Sequence, residues 1–290
     1  MGSEKLSSQI SIIIPARNEA DNLKRLLPRI LECDLAAEII VVNDGSTDNT
    51  AEICQLHKVK LVNSPYRKGN GAAIKAGTRA ATGDILVFLD GDGQHKPEDI
   101  ARLLEELGKG YDMVVGARGR DGQADTYRAF ANGIYNTLAS WMTGQKIQDL
   151  TSGFRAVRAN RFREFLYLLP NGFSYPTTCT MAFFRAGYSV AYVPVQTELR
   201  LGSSHISLVK DGVRFLLIIF KVGTLYSPLK IFLPVSGTFF LIGVCYYFYT
   251  FVTEGRFTNM SAVLFMTSVL VFLIGLVSEQ ITALMYKERD

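Results

Sequence analysis

The stretch Val87-Phe88-Leu89-Asp90-Gly91-Asp92-Gly93-Gln94-His95 decides how the chain is read. It begins as an apolar strand and ends in two carboxylates one residue apart. At a strand-to-loop turn, an Asp-x-Asp pair can aim its oxygens at one hard cation that also carries waters and phosphates. Gly91 and Gly93 let the backbone turn tightly and let a ligand come close. In a surface loop the same residues would be ordinary turn chemistry. Their place at the carboxyl end of the fourth of five apolar strands makes them a candidate site.

The other strands lie upstream and downstream of this one. Apolar runs at 10–14, 38–42, 59–62, 85–89 and 113–115 alternate with helical patterns. These helices cover 19–31, a segment ending at 56, 70–81 and 97–107. Ser46, Thr47 and Asp48 are N-cap candidates for the second. Pro28 is expected to bend or end the first, whereas Pro97 sits in the tolerated first turn of the fourth. Strands that are apolar throughout, separated by helices, predict a parallel sheet covered on both faces. The result is a doubly wound α/β domain, whose ligands bind at the carboxyl ends of the strands. A helix over 126–143 and strands over 154–157 and 189–193 follow.

Two more strand ends point to the same edge. The first runs out through Pro15-Ala16-Arg17-Asn18-Glu19, the second through Asn43-Asp44-Gly45-Ser46. Asp44 is expected to accept a hydrogen bond from the N–H edge of a uracil or guanine base. The loop Arg67-Lys68-Gly69-Asn70-Gly71 is basic, rich in glycine and opens a helix, an arrangement that can bind anions.

Of the 290 residues, 48% are hydrophobic and 20% charged, which excludes a disordered chain. A net charge of +4 excludes a strongly basic nucleic-acid binder, and no nucleic acid is expected as partner. Cys33, Cys54, Cys179 and Cys245 are far apart and show no metal-ligand spacing. The apolar excess is concentrated at the C-terminus: residues 231–253 and 257–278, runs of 23 and 22, carry no charge. A bilayer core of about 30 Å needs roughly 20 helical residues, so two spans are expected. Residues 206–220 are apolar but include Lys210, Asp211 and Arg214, and read as helices lying in the membrane interface. The polar N-terminus has no signal-peptide core. Lys221, Lys230, Lys287 and Arg289 flank the spans on one side, with only Arg256 in the loop between them. The soluble domain and the C-terminus are therefore expected in the cytoplasm. Glu279, near the end of the second span, is expected to snorkel, to pair with a neighbouring subunit or to be a plain interfacial residue.

The segments PARNEA (15–20), VVNDGSTDNT (41–50), RKGNGAAIKAG (67–77), FLDGDGQHKPEDI (88–100), GARGR (116–120) and DLTSGFRAVRA (149–159) occur in that order. As a set they resemble the family 2 glycosyltransferases of the GT-A fold. Within that family they resemble the dolichyl- and undecaprenyl-phosphate sugar synthases. The resemblance covers the soluble domain, and the two C-terminal spans fit a common bacterial form. It implies a Rossmann-like, mostly parallel GT-A domain over 1–205, interfacial amphipathic helices over 206–230, and two transmembrane helices with a short loop and tail over 231–290. It implies a nucleotide-sugar donor (GDP-mannose or UDP-glucose), a divalent cation (Mg2+ or Mn2+) and a polyprenyl phosphate acceptor at a lipid bilayer. A homo-oligomer is compatible with it.

Carried over by motif, Pro15, Arg17, Glu19, Asp44, Lys68, Gly71, Asp90 and Gly91 fall on the nucleotide side. Asp90, Asp92 and Gln94 match the metal and donor motif. Arg118, Arg128 and Asn132 fall where the acceptor phosphate is held, with Arg200 and Ser204 in a loop that can close over it. Two residues depart from the family pattern. Arg17 replaces an aromatic residue, and Ser204-His205 replaces a common Ser-Lys, which removes a permanent positive charge. Charge supports the acceptor side: residues 115–164 hold eight basic groups against four acidic ones. Such a patch suits a lipid phosphate, although Arg161 and Arg163 read as ordinary surface residues. The acceptor is a phosphate with a second pKa of about 6, already mostly a dianion near neutral pH, so its attack needs no general base.

Two other readings compete. A processive polysaccharide synthase would carry Gln-x-x-Arg-Trp and more spans, whereas the only tryptophan is Trp141 in Ala139-Ser140-Trp141-Met142. An inactive scaffold that binds lipid or partners would not need Asp90, Asp92, Gln94 and Arg118 all in place.

Overall fold

The computed structural model describes residues 9–118, 126–172, 175–198, 220, 223–224 and 226–285, the side chains of 126–132 excepted. The chain divides into two compact units, residues 1–137 with 145–207 and residues 138–144 with 208–290.

In the first unit, strands and helices alternate as the apolar runs require. They are β1 (Ile10–Ala16), α1 (Ala20–Glu32), β2 (Ala37–Asp44), α2 (Thr50–Leu56), β3 (Lys60–Ser64), α3 (Asn70–Ala80), β4 (Ile85–Phe88), α4 (Asp99–Gly108) and β5 (Met113–Arg118). After them come α5 (Thr126–Thr143), which from Leu138 on belongs to the second unit, then β6 (Arg155–Arg158), α6 (Ala159–Glu164), α7 (Tyr175–Arg185) and β7 (Val190–Val195). The strands form one seven-stranded sheet in the order β3-β2-β1-β4-β6-β5-β7. Every pairing is parallel except those of β6, which runs antiparallel to both β4 and β5. Ile12 and Ile14 of β1 enter a core with Leu23, Leu26 and Leu27 of α1 and Leu103 of α4. Successive strand residues point to opposite faces, so Ile13 packs instead on α3, where a Cβ on Gly77 would meet it at 2.4 Å. The mostly parallel α/β sheet is borne out, with β6 as its antiparallel member.

Two local features differ from expectation. Pro28 lies inside α1, and the helix continues to Glu32. Leu26, Leu27 and Ile30 are buried around it, and that packing offsets the missing N–H. Helices α6 and α7 have no counterpart in the sequence reading. In α7 every residue from Tyr175 to Phe183 is buried, so there is no polar face to give a helical period.

Glu38 ties the sheet together on the side away from the loops. Its carboxylate accepts from Ser11 Oγ at 2.8 Å, Lys60 Nζ at 2.7 Å, and the backbone N–H and hydroxyl of Thr82 at 3.0 and 3.1 Å. Burial works against the charge, but these donors win and hold the group at about 2. A lowered carboxyl stabilises the fold above its ordinary value of 4.5, and that contribution is lost as pH falls through 2. Glu38→Gln is expected to lower stability at pH 7 by on the order of 2 kcal/mol. Thermal melts of the detergent-purified protein should show the gap narrowing below pH 4.5. A gap constant from pH 7 to 3 would show that the charge is not what stabilises.

The second unit contains two helices of 27 residues, α8 (Pro228–Glu254) and α9 (Asn259–Met285), each long and apolar enough to cross a membrane. At 1.5 Å per residue each is about 40 Å long, more than a bilayer core of about 30 Å. They pack antiparallel along small residues spaced by seven: Ser236, Gly243 and Thr250 on α8, and Ser261, Ser268, Gly275 and Thr282 on α9. Ser236 and Ser268 each donate to the other's carbonyl oxygen at 2.9 Å. Glu279 accepts from Leu229 N–H at 3.2 Å and Ser227 Oγ at 3.3 Å, so it caps the start of α8 from the neighbouring helix. Its partners thus include groups of its own chain. The interfacial helices expected over 206–220 lie, except for Phe220, outside the described residues.

Candidate active site

Strands β1, β2 and β4 end at the same edge of the sheet, and a cleft of about 290 Å³ opens there. Pro15, Arg17 and Glu19 line it from the end of β1, and Asp44 from the end of β2. Arg67, Gly69, Asn70 and Ala73 contribute from the β3–α3 connection, and Asp90, Gly91 and Asp92 from the end of β4. Six of the eight residues expected on the nucleotide side therefore line one cavity. Lys68 and Gly71 do not.

The reason lies in how this connection is held. The Asp44 carboxylate accepts from the backbone N–H of Lys68 at 2.6 Å and of Gly69 at 2.8 Å. The Lys68 ammonium lies over the Tyr66 ring at 5.4 Å. The first amides of α3 are already engaged: Gly71 donates to the Gly172 carbonyl at 3.2 Å and Ala72 to that of Asn171 at 3.0 Å. A Cβ on Gly71 would lie 2.0 Å from the Pro170 carbonyl oxygen, so Gly71 serves close packing of the 170–172 loop. Those two amides are therefore spent within the chain.

Asp90 is half-buried beside Asp92. Burial and the neighbouring carboxylate push it up to about 6, against the pull of Arg118, Arg155 and a hydrogen bond from Asn70. Asp92 accepts from the Gln94 N–H at 3.1 Å, and the Gln94 carbonyl accepts from Glu198 N–H at 2.8 Å. Gln94 thus shapes the loop through its backbone and is not among the residues lining the cleft. Among the described residues no three His, Cys, Asp or Glu side chains converge as a complete metal set. Two adjacent carboxylates on a cleft wall still fit a hard divalent cation of the kind that completes its shell with water and substrate phosphates. The repulsion that raises Asp90 is what such a cation would relieve.

Gly153 fixes where Asp90 points. A Cβ there would lie 2.6 Å from Asp90 Oδ2. Gly153→Ala is expected to turn that carboxylate and weaken Mn2+ binding by about tenfold, since small displacements of catalytic groups are costly. Calorimetric titration with Mn2+ checks this, and an unchanged affinity would show that Asp90 does not need its present rotamer.

Arg118 ends β5, where it is held by Asp149. Its Nε and Nη2 donate to the two Asp149 oxygens at 2.8 and 3.0 Å, and Nη2 donates to Thr151 Oγ1 at 2.7 Å. Asp149 also accepts from the N–H groups of Arg118, Thr151 and Ser152. Burial opposes its charge, yet Arg118 holds Asp149 below the usual carboxylate range. The charge of Arg118 also reaches Asp90 and Asp92. Sequence reasoning assigned no role to Asp149. It stands in the quoted DLTSGFR segment, but nothing local marks a partner 31 residues away.

The basic patch is smaller than the count suggested. Arg155 is fully buried, donating to the carbonyls of Ser152 and Pro176 and to Thr180 Oγ1. Arg161 pairs with Glu164 at 3.4 Å, and Arg163 donates to the Ala81 carbonyl at 2.9 Å, as surface residues do. His95 is buried, stacked on Phe154 at 5.0 Å, and lowered to about 4 by burial and by Arg118. The side chains of Arg128 and Asn132, and residues Arg200, Ser204 and His205, lie outside the described residues.

Comparison with known proteins gives matches over both units. The family profile described as "Glycosyl transferase family 2" matches residues 11–166, and "GtrB C-terminal hairpin" matches residues 227–284. The undecaprenyl-phosphate 4-deoxy-4-formamido-L-arabinose transferase of Edwardsiella ictaluri is 36% identical over 179 residues, 58% of this chain and 54% of that protein. The chain spans about half the length of the arabinose transferases it matches. The polyprenol monophosphomannose synthase of Mycolicibacterium smegmatis is 31% identical over 216 residues, 68% of this chain and 80% of that protein. Among solved structures, the glucosyl-3-phosphoglycerate synthase of Mycobacterium tuberculosis, crystallised with Mn2+, UDP and glucosyl-3-phosphoglycerate, is similar with a TM-score of 0.61. At 22% identity over 76% of this chain and 80% of that one, the likeness shows the fold.

Proposed function

The chain belongs to glycosyl transferase family 2, and from that premise we propose that it is a membrane-bound inverting transferase that moves a hexose from a nucleotide sugar to a polyprenyl phosphate. One observation carries the reading: two carboxylates, Asp90 and Asp92, line a cleft within the electrostatic reach of the Asp149-clamped Arg118. The similarity to an undecaprenyl-phosphate arabinose transferase and to a polyprenol monophosphomannose synthase supports it. So do the two apolar helices that match a C-terminal hairpin.

In this proposal residues 1–205 are the catalytic domain, 206–230 lie at the interface and 231–290 form two spans and a tail. The catalytic domain and C-terminus are cytoplasmic, since Arg256 in the loop is paired with Glu254 at 2.8 Å while the lysines cluster at the other end.

The donor occupies the cleft, its nucleoside against Pro15, Arg17, Glu19 and Asp44 and its diphosphate toward Asp90, Gly91 and Asp92. Asp90 and Asp92 would hold a divalent cation, Mg2+ or Mn2+, with Gln94 shaping their loop; such an ion supplies neutralisation of the leaving nucleoside diphosphate. Arg118 holds the acceptor phosphate, its guanidinium oriented by Asp149, and Arg128, Asn132, Arg200 and Ser204 complete that subsite. The phosphate attacks as a dianion without a base, so the protein's work is to hold two anions together in line. One such displacement inverts the anomeric centre and gives a β-linked product from an α-linked donor.

The test is to incubate full-length protein in detergent with Mn2+, undecaprenyl or dolichyl phosphate and a panel of nucleotide sugars, and to detect a lipid-linked sugar by mass spectrometry. GDP-mannose and UDP-glucose are the first donors to try. Failure of every donor to label either lipid would sink the proposal.

A further inference from the structure

The chain has one tryptophan, and the fold leaves it in the open. Trp141 is 53% exposed on the last turn of α5, whereas Ala139 and Met142 beside it are fully buried. That turn belongs to the second unit, with the two long apolar helices. It is fastened to the foot of α8. Lys230 Nζ donates at 2.8 Å to the Met142 carbonyl, one of the four that the end of a helix leaves without a partner of its own. The helix dipole favours a cation at that end as well. The Met142 side chain packs there too: a Cβ on Gly223 would strike Ile231 and touch Met142 Cε at 3.8 Å.

The foot of α8 is where its charge-free run begins. Lys230 is the last charged residue before the run and Ile231 the first residue within it. Trp141, next in sequence to Met142, therefore stands at the mouth of the run. Phe220, 51% exposed, stands near it, with its ring 6.2 Å from that of Phe232. The three tyrosines of α8, Tyr246, Tyr247 and Tyr249, all fall toward its other end. From Ile231 to Tyr249 the helix rises about 27 Å, close to the roughly 30 Å of a bilayer core. Amphipathic rings at both ends of such a length are what the two headgroup layers of a bilayer select.

We propose that the last turn of α5 is itself a membrane-contacting element, with the Trp141 indole in the phospholipid headgroup layer at the foot of the hairpin. The inference rests on the reading of α8 and α9 as membrane spans. The indole suits that layer on two counts. Its ring covers apolar surface against the upper acyl carbons, and its N–H, the one polar group it has, meets a phosphate or glycerol oxygen. Deep in hydrocarbon that donor would go unpaired, and in water the ring would stay uncovered. Helix α5 also carries Arg128 and Asn132, both expected at the acceptor phosphate. The contact thus ties that helix to the surface from which a lipid acceptor comes.

The experiment reads the fluorescence of the full-length protein in phosphatidylcholine vesicles, excited where only tryptophan absorbs, so that the signal is Trp141 alone. Bromine on the shallow acyl carbons is expected to quench it about twofold more than bromine near the chain ends, because an interfacial indole sits at headgroup level. Emission like that of tryptophan in water, with neither bromine quenching, would overturn the proposal. So would blue-shifted emission without quenching, since protein, such as a second copy of the chain, would then cover the ring. Equal or stronger quenching by the deep bromines would put the ring in hydrocarbon and overturn it too. If the protein did not float with the vesicles, the spans themselves would fall, and this inference with them.

Discussion

Asp90→Asn is expected to lower sugar transfer by at least about a thousandfold, because a cation site worth several kcal/mol to the leaving group loses its charge. Asp92→Asn should do nearly the same. Asparagine keeps the shape of the side chain, so the sheet and the turn at β4 should survive. The melting temperature of the metal-free protein should stay level or rise, since each substitution removes one of two carboxylates that repel each other. Circular dichroism, melting and transfer assays on one preparation separate these effects. Excess chelator should abolish transfer by the unaltered protein to the same extent. Full turnover under chelation, or by either variant, would be incompatible with a cation held at Asp90 and Asp92.

The second large effect is expected at the Arg118–Asp149 pair. Arg118→Ala should weaken use of the lipid phosphate by about ten- to a hundredfold, the loss of one or two charge-assisted hydrogen bonds at roughly 1.5–3 kcal/mol each. Donor affinity should change little. Arg118→Lys should restore only part of the loss, since an ammonium keeps the charge but cannot make the two bonds to Asp149 and still present a free donor group. Asp149→Ala tests the clamp. It removes the partner of a mostly buried guanidinium, and breaking such a pair costs about 3–5 kcal/mol of stability. Asp149→Asn should fall between, because one amide oxygen can still accept. Rate against lipid concentration, with donor binding measured separately, reads the outcome. If Arg118→Ala abolished nucleotide binding and left the lipid dependence unchanged, Arg118 would belong to the donor.

The parallel part of the sheet was legible because Ile12, Ile13 and Ile14, and likewise Val41, Val42, Val87 and Phe88, are buried on both faces and so form unbroken apolar runs. The direction of β6 was not legible, since a four-residue strand pairs either way and only its neighbours decide. Acidic residues at strand ends could be read as a site because topology alone brings them to one edge. Their partners could not. Asp44 is met by two backbone amides, and Asp149, in a loop, by the guanidinium at the end of β5, and neither contact leaves a trace in residue spacing. Arg155 misled for the opposite reason: a charged residue counts toward a surface patch until its burial is known. The close approach of Gly71 to the Pro170 carbonyl oxygen likewise has no signature in the sequence.

The paired serines of the hairpin bear on how the chain enters a bilayer. Alone in lipid, each hydroxyl would have only its own helix to bond, whereas together Ser236 and Ser268 satisfy each other's carbonyls. The Leu229 amide at the start of α8 is in the same position, because Glu279 reaches it only when the helices lie side by side. Insertion therefore favours the two helices going in as one cooperative unit. A chain cut at Gly255 would present two segments that each cross poorly alone and recover when coexpressed.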